Sequence, residues 1–183
     1  MRHALTLLSI MMLCSAAAQA AERTREQSMR FSFQREDYRK YGLRLYQVVH
    51  ATGAISEGTA ENLKIFAEQN NIQPGGEIYL DSGSGNRIEA MRLGRMIRAL
   101  GLMTHIGGTS PQQPGRCISA CPLAFLGGTY RFMNNADTFG LHRFYRSQAE
   151  DQEFTQEQAP QVAETMKSYM QEMGTNPSLF RYM

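Results

Sequence analysis

The chain has 183 residues, of which 42% are hydrophobic and 20% are charged. This length is that of one domain of ordinary size, which can bury about 70% of its unfolded surface and does not depend on disulfides for stability. Its 19 basic and 17 acidic residues give a formal net charge of +2. No excess of positive charge therefore points to nucleic acid as a partner.

The first twenty residues have the order of a secretory signal peptide. A short basic start precedes an apolar run over residues 4–14, and small residues then end at Ala20. The run is shorter than the about 20 residues that span a bilayer, and a membrane anchor that stays attached is the alternative. We predict a signal peptide over residues 1–20 and a single α/β domain over residues 21–183, periplasmic or secreted. No membrane insertion is expected after cleavage.

The spacing of apolar residues then predicts strands that alternate with helices. Alternating or compact apolar segments predict strands at 29–33, 43–55 (a strand and its turn), 77–80, 103–106, 129–132 and 138–141. Helical spacing predicts a helix that follows a cap at Ser56 or Thr59 and ends near Gln69, and further helices at 86–100, 118–126 and 162–173. This alternation favours a parallel sheet with crossover helices.

The serine between two cysteines is the first candidate for chemistry. Cys117 and Cys121 are the cysteines that remain after the predicted signal peptide, and in an oxidising compartment they could form a disulfide or stay as two unpaired small core residues. Ser119 stands at the entrance of a predicted helix, where a nearby base could activate it and the N–H of Ala120 could help to hold an oxyanion. His142, just after an apolar strand, is the candidate base.

A loop of glycine and serine follows the strand predicted at 77–80. Its N–H groups at Gly83, Ser84 and Gly85 could supply a second oxyanion donor, because small residues let a carbonyl oxygen approach the backbone. Each of these signals alone also fits a structural role: a turn, a packed serine or a hydrogen-bonding histidine. The histidines and cysteines show no metal-ligand spacing, so we predict no metal and no cofactor.

Taken together and in this order, these segments resemble the ClpP/crotonase superfamily, in particular the exported ClpP-like proteins of bacteria. The resemblance extends from about Leu45 to Met173. It is carried by Gly53-Ala-Ile55, by Ile78-Tyr-Leu-Asp-Ser-Gly-Ser-Gly85 with the helix after it, and by Cys117-Ile-Ser-Ala-Cys-Pro-Leu-Ala-Phe-Leu-Gly-Gly128 followed by Tyr130-Arg-Phe132 and Gly140-Leu-His142.

The resemblance implies an α/β protein with a ClpP/crotonase-like repeated β-β-α (spiral) fold, a mainly parallel sheet and a long C-terminal helix. It implies Ser119 as the nucleophile and His142 as the general base of a peptidase. The N–H of Ala120 and the N–H of Gly83 or Ser84 would be the oxyanion donors. It also implies self-association into trimers or larger rings, with the polar segment 147–158 as the place to look for a lid or a contact.

The sequence departs from the family pattern in two places. The loop is Ser-Gly-Ser-Gly where ClpP-like peptidases have Ser-Pro-Gly-Gly, and no acidic residue follows Glu172, where the third member of the triad would be expected. We therefore expect that the chain is truncated or that the acid comes from elsewhere, with Asp137 and Asp151 as the available stand-ins.

Three functions follow from this sequence, in decreasing order of support. The first is a serine hydrolase acting on a peptide or protein. The second is an inactive ClpP-like binding or assembly module that lost the triad. The third is crotonase-type chemistry on a coenzyme A thioester, which suits the fold but not the predicted export, because that cofactor is intracellular.

Overall fold

The computed structural model of the protein describes residues 28–37, 45–107, 114–141 and 159–182. The predicted signal peptide, His142, Asp151 and the polar segment 147–158 lie outside these ranges, so their placement stays a prediction. Within these ranges, no helix has both the length and the apolar character that crossing a bilayer requires.

Seven strands and four α-helices make up the described part of the chain. The strands are β1 (Arg30–Asp37), β2 (Leu45–Thr52), β3 (Glu77–Asp81), β4 (Met103–Ile106), β5 (Arg116–Ile118), β6 (Arg131–Phe132) and β7 (Thr138–Gly140). The helices are α1 (Thr59–Gln69), α2 (Arg87–Ala99), α3 (Cys121–Phe125) and α4 (Ala159–Glu172), and a 3₁₀ helix (Pro177–Tyr182) follows α4.

Five of the strands form one sheet in the order β1-β2-β3-β4-β6. The pairs β2–β3, β3–β4 and β4–β6 are parallel, whereas β1 runs antiparallel to β2. Strands β5 and β7 form a second, parallel pair. The predicted mixed α/β class with a mostly parallel sheet is confirmed, since α1 and α2 connect successive parallel strands.

The core lies between this sheet and the helices. Along β3 the burial alternates with period two, so that Ile78 and Leu80 are fully buried. Helix α2 buries Leu93 and Ile97, one turn apart, against the same core. Each fully buried side chain of this kind stabilises the fold by about 1.5–3 kcal/mol. Helix α4 adds Tyr169, which is also fully buried.

The start of α1 differs from the sequence prediction. Gly58 occupies the N-cap position with φ +84°, and no hydroxyl caps the helix. The Thr59 hydroxyl instead donates to the Ser56 carbonyl oxygen at 2.6 Å. The first turn is satisfied from another helix, because the N–H of Ala60 donates to the buried carboxylate of Glu89 in α2 at 2.9 Å. A cap that comes from a distant helix leaves no local signal in the sequence.

Candidate active site at the turn between β5 and α3

Ser119 lies in the turn between β5 and α3, so the helix predicted over 118–126 is shorter than expected. Its φ is +65°, a left-handed conformation that costs a residue with a side chain about 1–3 kcal/mol. Backbone hydrogen bonds hold this turn on both sides. The Ser119 N–H donates to the Gly140 carbonyl at 3.2 Å, and the Ile118 N–H donates to the Ser82 carbonyl at 3.0 Å. The long-range pairing of Ile118 keeps the first predicted residues out of the helix, which begins only at Cys121.

A disulfide closes the turn that carries Ser119. Cys117 and Cys121 form a disulfide, with a Cα–Cα distance of 5.1 Å. The sequence left open whether these cysteines are bonded or unpaired, and the structure shows them bonded. Cys117 belongs to β5 and Cys121 is the first residue of α3, and both are fully buried. The covalent bond therefore joins the strand to the helix and limits the conformations that the serine between them can adopt.

The glycine-serine loop predicted to hold an oxyanion is hydrogen-bonded directly to β5. Ser82 and Cys117 form an isolated parallel bridge. In this bridge the Ser82 N–H donates to the Arg116 carbonyl at 2.6 Å. Because β5 leads into Ser119, this bridge brings the loop at 82–85 beside the candidate nucleophile.

The carbonyl group of Ser84, in the middle of this loop, is hydrogen-bonded within the fold. The Ser84 carbonyl accepts hydrogen bonds from the Ser82 hydroxyl at 3.1 Å and from the Ile55 N–H at 3.1 Å. Gly85 has φ +151°, and a Cβ atom there would lie 2.6 Å from the Ile55 carbonyl oxygen. Only glycine fits this position, because both the conformation and the close approach exclude a side chain.

The candidate oxyanion donors are available for a ligand. The N–H groups of Gly83, Ser84 and Ala120 donate to no acceptor within the described parts of the chain. Ala120 is buried and Gly83 is half-buried, and an N–H group without a partner at such positions is unusual in a folded protein, whereas Ser84 is exposed and water can reach its N–H. This arrangement is therefore suited to holding the oxygen of a carbonyl group.

A cleft of about 320 Å³ lies next to this loop. It is lined by Thr52, Gly53, Ala54, Asp81, Gly83, Ser84 and Arg116. These residues come from the carboxyl ends of β2 and β3 and from the start of β5. In open parallel sheets this is the edge at which ligands bind, so the cleft is the natural place for a substrate that reaches the loop.

The remaining predicted members of the site are the base, His142, and the stand-in acid, Asp137. His142 lies outside the described residues, and Gly140, two residues before it, accepts the hydrogen bond from Ser119. Asp137, a stand-in for the missing acid, uses both carboxylate oxygens on backbone N–H groups, from Gly115 at 2.9 Å and from Asn134 at 2.6 Å. Asp137 therefore organises the loop before β7.

Within the described ranges, no group of three histidine, cysteine or acidic side chains could hold a metal ion. One residue of the cleft was missed by the sequence prediction. The sequence analysis predicts no strand or site residue at Arg116, but Arg116 begins β5 and its guanidinium lies against Gly83. A strand of three residues gives no periodic signal, and only its position three residues before Ser119 could have drawn attention to it.

The fold has known counterparts among solved structures, although no protein-family model and no curated protein sequence matches the chain. The ClpP protease catalytic domain from Plasmodium falciparum superimposes with a TM-score of 0.52 over 73% of this chain and 70% of that chain, at 13% identity. A mutant of the 1510-N membrane-bound stomatin-specific protease superimposes with a TM-score of 0.50 over 72% of this chain and 65% of that chain, at 19% identity.

These likenesses define the class of the fold. The protein is a mixed α/β domain with a ClpP-like fold. At such low identity the likeness concerns the fold alone, and the chain matches slightly less than two thirds of the stomatin-specific protease. Activity has to be argued from the site itself.

Proposed function

We propose that the protein is an exported serine peptidase of the ClpP type, with Ser119 as its nucleophile. The observation that carries the proposal is the hydrogen-bonded bridge between Ser82 and Cys117. It joins a loop whose Gly83 and Ser84 N–H groups have no acceptor among the described residues to the strand that leads into a serine with a left-handed backbone. A nucleophile next to oxyanion donors is the arrangement that acyl transfer needs.

In the proposed reaction the Ser119 hydroxyl oxygen bonds to the carbonyl carbon of a peptide while His142 accepts the hydroxyl proton. The oxygen of the tetrahedral intermediate is held by the N–H of Ala120 and by the N–H of Gly83 or Ser84. His142 then returns the proton to the leaving amine, the C–N bond breaks and an acyl-enzyme remains. Water, deprotonated by His142, releases the acid and restores Ser119.

The typical contributions of oxyanion donors and of the orienting acid to kcat lead us to expect a slow enzyme. Removal of one oxyanion donor typically lowers kcat by about 10² to 10³, and loss of the acid that orients the histidine lowers it by about 10⁴. In the proposed site the N–H groups of Gly83, Ser84 and Ala120 supply the oxyanion donors. Asp137 does not supply the orienting acid, because its carboxylate is engaged with backbone N–H groups. We therefore expect covalent chemistry at Ser119 with a modest turnover.

The finer features of the ClpP-like proteins belong to the same proposal. They are the repeated spiral arrangement with a long C-terminal helix, self-association into trimers or larger rings, and a lid or contact formed by the polar segment 147–158. The order of residues 1–20 supports export to the periplasm or beyond. A peptide or a protein is the proposed substrate.

The direct test is covalent labelling by an alkyl fluorophosphonate of protein purified after export of the full chain. Labelling is expected in the wild type and should be lost in Ser119→Ala and in His142→Ala. Ser178→Ala is the matched control, because Ser178 is exposed in the 3₁₀ helix at the far end of the chain. A folded wild-type sample that takes up no label would contradict the proposal.

The second candidate is a non-catalytic binding or assembly module with the same fold. It is favoured by the Ser-Gly-Ser-Gly sequence of the loop and by the engagement of Asp137 in local hydrogen bonds. A folded protein that self-associates but is not labelled would support it.

A further inference from the structure

Arg116 holds its guanidinium group against the loop that contains the proposed oxyanion donors. A Cβ atom built on Gly83 would lie 2.6 Å from Nη2, 2.8 Å from Cζ and 3.0 Å from Nε of Arg116. The guanidinium therefore covers the face of Gly83 that a side chain would otherwise occupy. A side chain at residue 83 would displace this guanidinium, which is the end of a flexible side chain.

The backbone of Arg116 fixes where the side chain begins. Its carbonyl accepts the hydrogen bond from the Ser82 N–H, and its own N–H donates to Oδ1 of Asp81 at 3.1 Å. Both contacts are with residues at the end of β3 or in the loop that follows it. Arg116 precedes Ser119 by three residues on the same short segment. These hydrogen bonds therefore fix the backbone from which both the guanidinium and the nucleophile extend.

The charge of Arg116 is not neutralised by any residue that the structure describes. Arg116 is exposed, and no carboxylate among the described residues lies within 4.0 Å of its guanidinium, although four other ion pairs of Lys or Arg with Glu are formed there. Asp81, the other charged residue of the cleft, uses Oδ1 on the Arg116 backbone rather than on the side chain. An arginine in this state presents several N–H donors to whatever enters the cleft.

We propose that Arg116 is a substrate-binding residue that selects substrates with a carboxylate close to the scissile bond. The inference rests on the proposed function, because it uses the same loop to hold the carbonyl oxygen. A carbonyl oxygen bound at the N–H of Gly83 or Ser84 lies next to the guanidinium that covers Gly83. A carboxylate on a neighbouring part of the substrate can then accept two parallel hydrogen bonds from Arg116, the geometry that guanidinium groups favour.

This carboxylate could come from an acidic side chain or from the free C-terminus of a peptide. Both offer the same chemistry to Arg116, so matched peptides separate them. Four peptides of one sequence are needed: with Glu or with Gln at the residue under test, and each with a free carboxyl or an amidated end. Their readout is the concentration at which each one protects Ser119 from labelling by an uncharged alkyl fluorophosphonate.

In the wild type, the peptide with the carboxylate that Arg116 recognises should protect at a concentration about tenfold to a hundredfold lower than its neutral partner, as expected for a charge-assisted bidentate pair. In Arg116→Gln this ratio should fall to about one, and in Arg116→Lys it should be intermediate. Because the ratio is taken within each variant, a change in basal reactivity cancels. Arg181→Gln, an exposed arginine in the 3₁₀ helix, should keep the wild-type ratio.

The outcomes separate the two proposals. Efficient labelling with equal protection by charged and neutral peptides would overturn the role of Arg116 and leave the peptidase intact. A preference that survives in Arg116→Gln would also overturn it. No labelling of the folded wild type would overturn both.

Discussion

The two ends of α3 differ in how their backbone groups are satisfied. Beyond the C-terminal end, the carbonyls of Leu126, Gly127 and Gly128 accept hydrogen bonds from Arg98 of α2, at 3.3, 2.8 and 3.0 Å respectively. Arg131 of β6 donates to the Leu126 carbonyl as well, at 3.0 Å. Two guanidinium groups thus satisfy one cluster of carbonyl oxygens.

The same two arginines tie this end of α3 to the end of α4, because both donate to the Met173 carbonyl. Burial and the adjacent charge of Arg98 lower the pKa of Arg131 below its usual value. The carbonyl oxygens offset the repulsion between the two like charges. Removal of Arg98 would leave the buried carbonyls of Gly127 and Gly128 without a donor, which is costly, whereas the Leu126 and Met173 carbonyls would keep Arg131.

Before the N-terminal end of α3 the opposite holds. The Ala120 N–H has no acceptor within the described residues, and neither do the N–H groups of Gly83 and Ser84 in the loop bridged to β5. Here the position of Ser119 is enforced by a disulfide and by backbone hydrogen bonds from other strands. One end of the helix thus contributes stability, and the other keeps unsatisfied donors for a ligand. Substitutions at the two ends should therefore separate stability from reactivity.

The largest expected effect is on stability, at the C-terminal end. Arg98→Met removes four donated hydrogen bonds and should lower the free energy of unfolding by about 3 kcal/mol, because carbonyls lose a charged donor. Chemical denaturation measures it. Arg92→Met, on the same helix and with 61% of its side chain exposed, is the control and should cost about 1 kcal/mol or less. Equal losses in the two variants would show that the carbonyl cluster does not depend on Arg98.

The next effect concerns reactivity, at the N-terminal end. Reduction of the Cys117–Cys121 disulfide should slow fluorophosphonate labelling of Ser119 about tenfold, because the left-handed backbone of Ser119 is then no longer enforced. The measurement compares labelling rates with and without a phosphine reductant. The double variant with Ala at 117 and 121 should be slow in both conditions. Equal rates for the oxidised and reduced wild type would show that the hydrogen bonds alone hold the turn.

The stability cost of that reduction should be smaller than that of Arg98→Met. The disulfide joins two cysteines that are four positions apart in the sequence. For so short a loop, the chain-entropy model gives a stabilisation of about 2 kcal/mol. Labelling is measured at a low denaturant concentration, at which the reduced protein is still folded. A change in the labelling rate then does not come from loss of stability. A reduced protein that unfolds would be recognised by its denaturation midpoint before labelling is compared.

The contrast between the two ends also explains what the sequence could predict. Strand β3, the loop after it and helix α2 were predicted within a residue or two, because their signals are local. Asn86 caps the helix through the Glu89 N–H at 2.9 Å, and Gly101 follows it with φ +67°. The candidate nucleophile and its loop were predicted from local pattern and family resemblance; the structure bridges the loop to the strand before Ser119, and their roles stay a prediction.

What the sequence did not predict depends on contacts between distant positions. Strand β5 has three residues and exists through its pairing with β7 and through the bridge from Ser82 to Cys117. Arg116 lies 35 residues from its Asp81 partner. Neither contact leaves a periodic pattern, so the sequence predicts no strand here and places Ile118, the last residue of β5, in a helix.

A smaller effect tests whether α3 transmits changes between its ends. The buried hydroxyl of Tyr169 donates to the Leu123 carbonyl at 2.6 Å. Tyr169→Phe should lower the free energy of unfolding by about 1 kcal/mol, the net value of one such hydrogen bond. Labelling of Ser119 should be unchanged, since the disulfide fixes the other end. A labelling rate that falls along with stability would show that the two ends are coupled.

The smallest effect separates the pH dependence of the fold from that of the site. His105 is stacked between Tyr79 and Phe132, at ring distances of 4.5 and 4.7 Å. Burial lowers its pKa, and the charges of Glu77 and Asp137 only partly oppose this. In the unfolded chain the histidine binds its proton more readily, so stability should be lost as the pH falls through about 6.5 towards the folded-state pKa.

Between about pH 7.5 and about pH 5.5 this loss should be about 1 kcal/mol or less, and it should be absent from His105→Phe, which can still stack. Labelling of Ser119 should decline over the same range in both proteins, because the proposed base, His142, must be neutral to accept a proton. Denaturation reports the protonation of His105 and labelling reports that of His142, and both are measured on the same samples. If His105→Phe removed the decline in labelling as well, the pH dependence would belong to the fold and not to a base at the site.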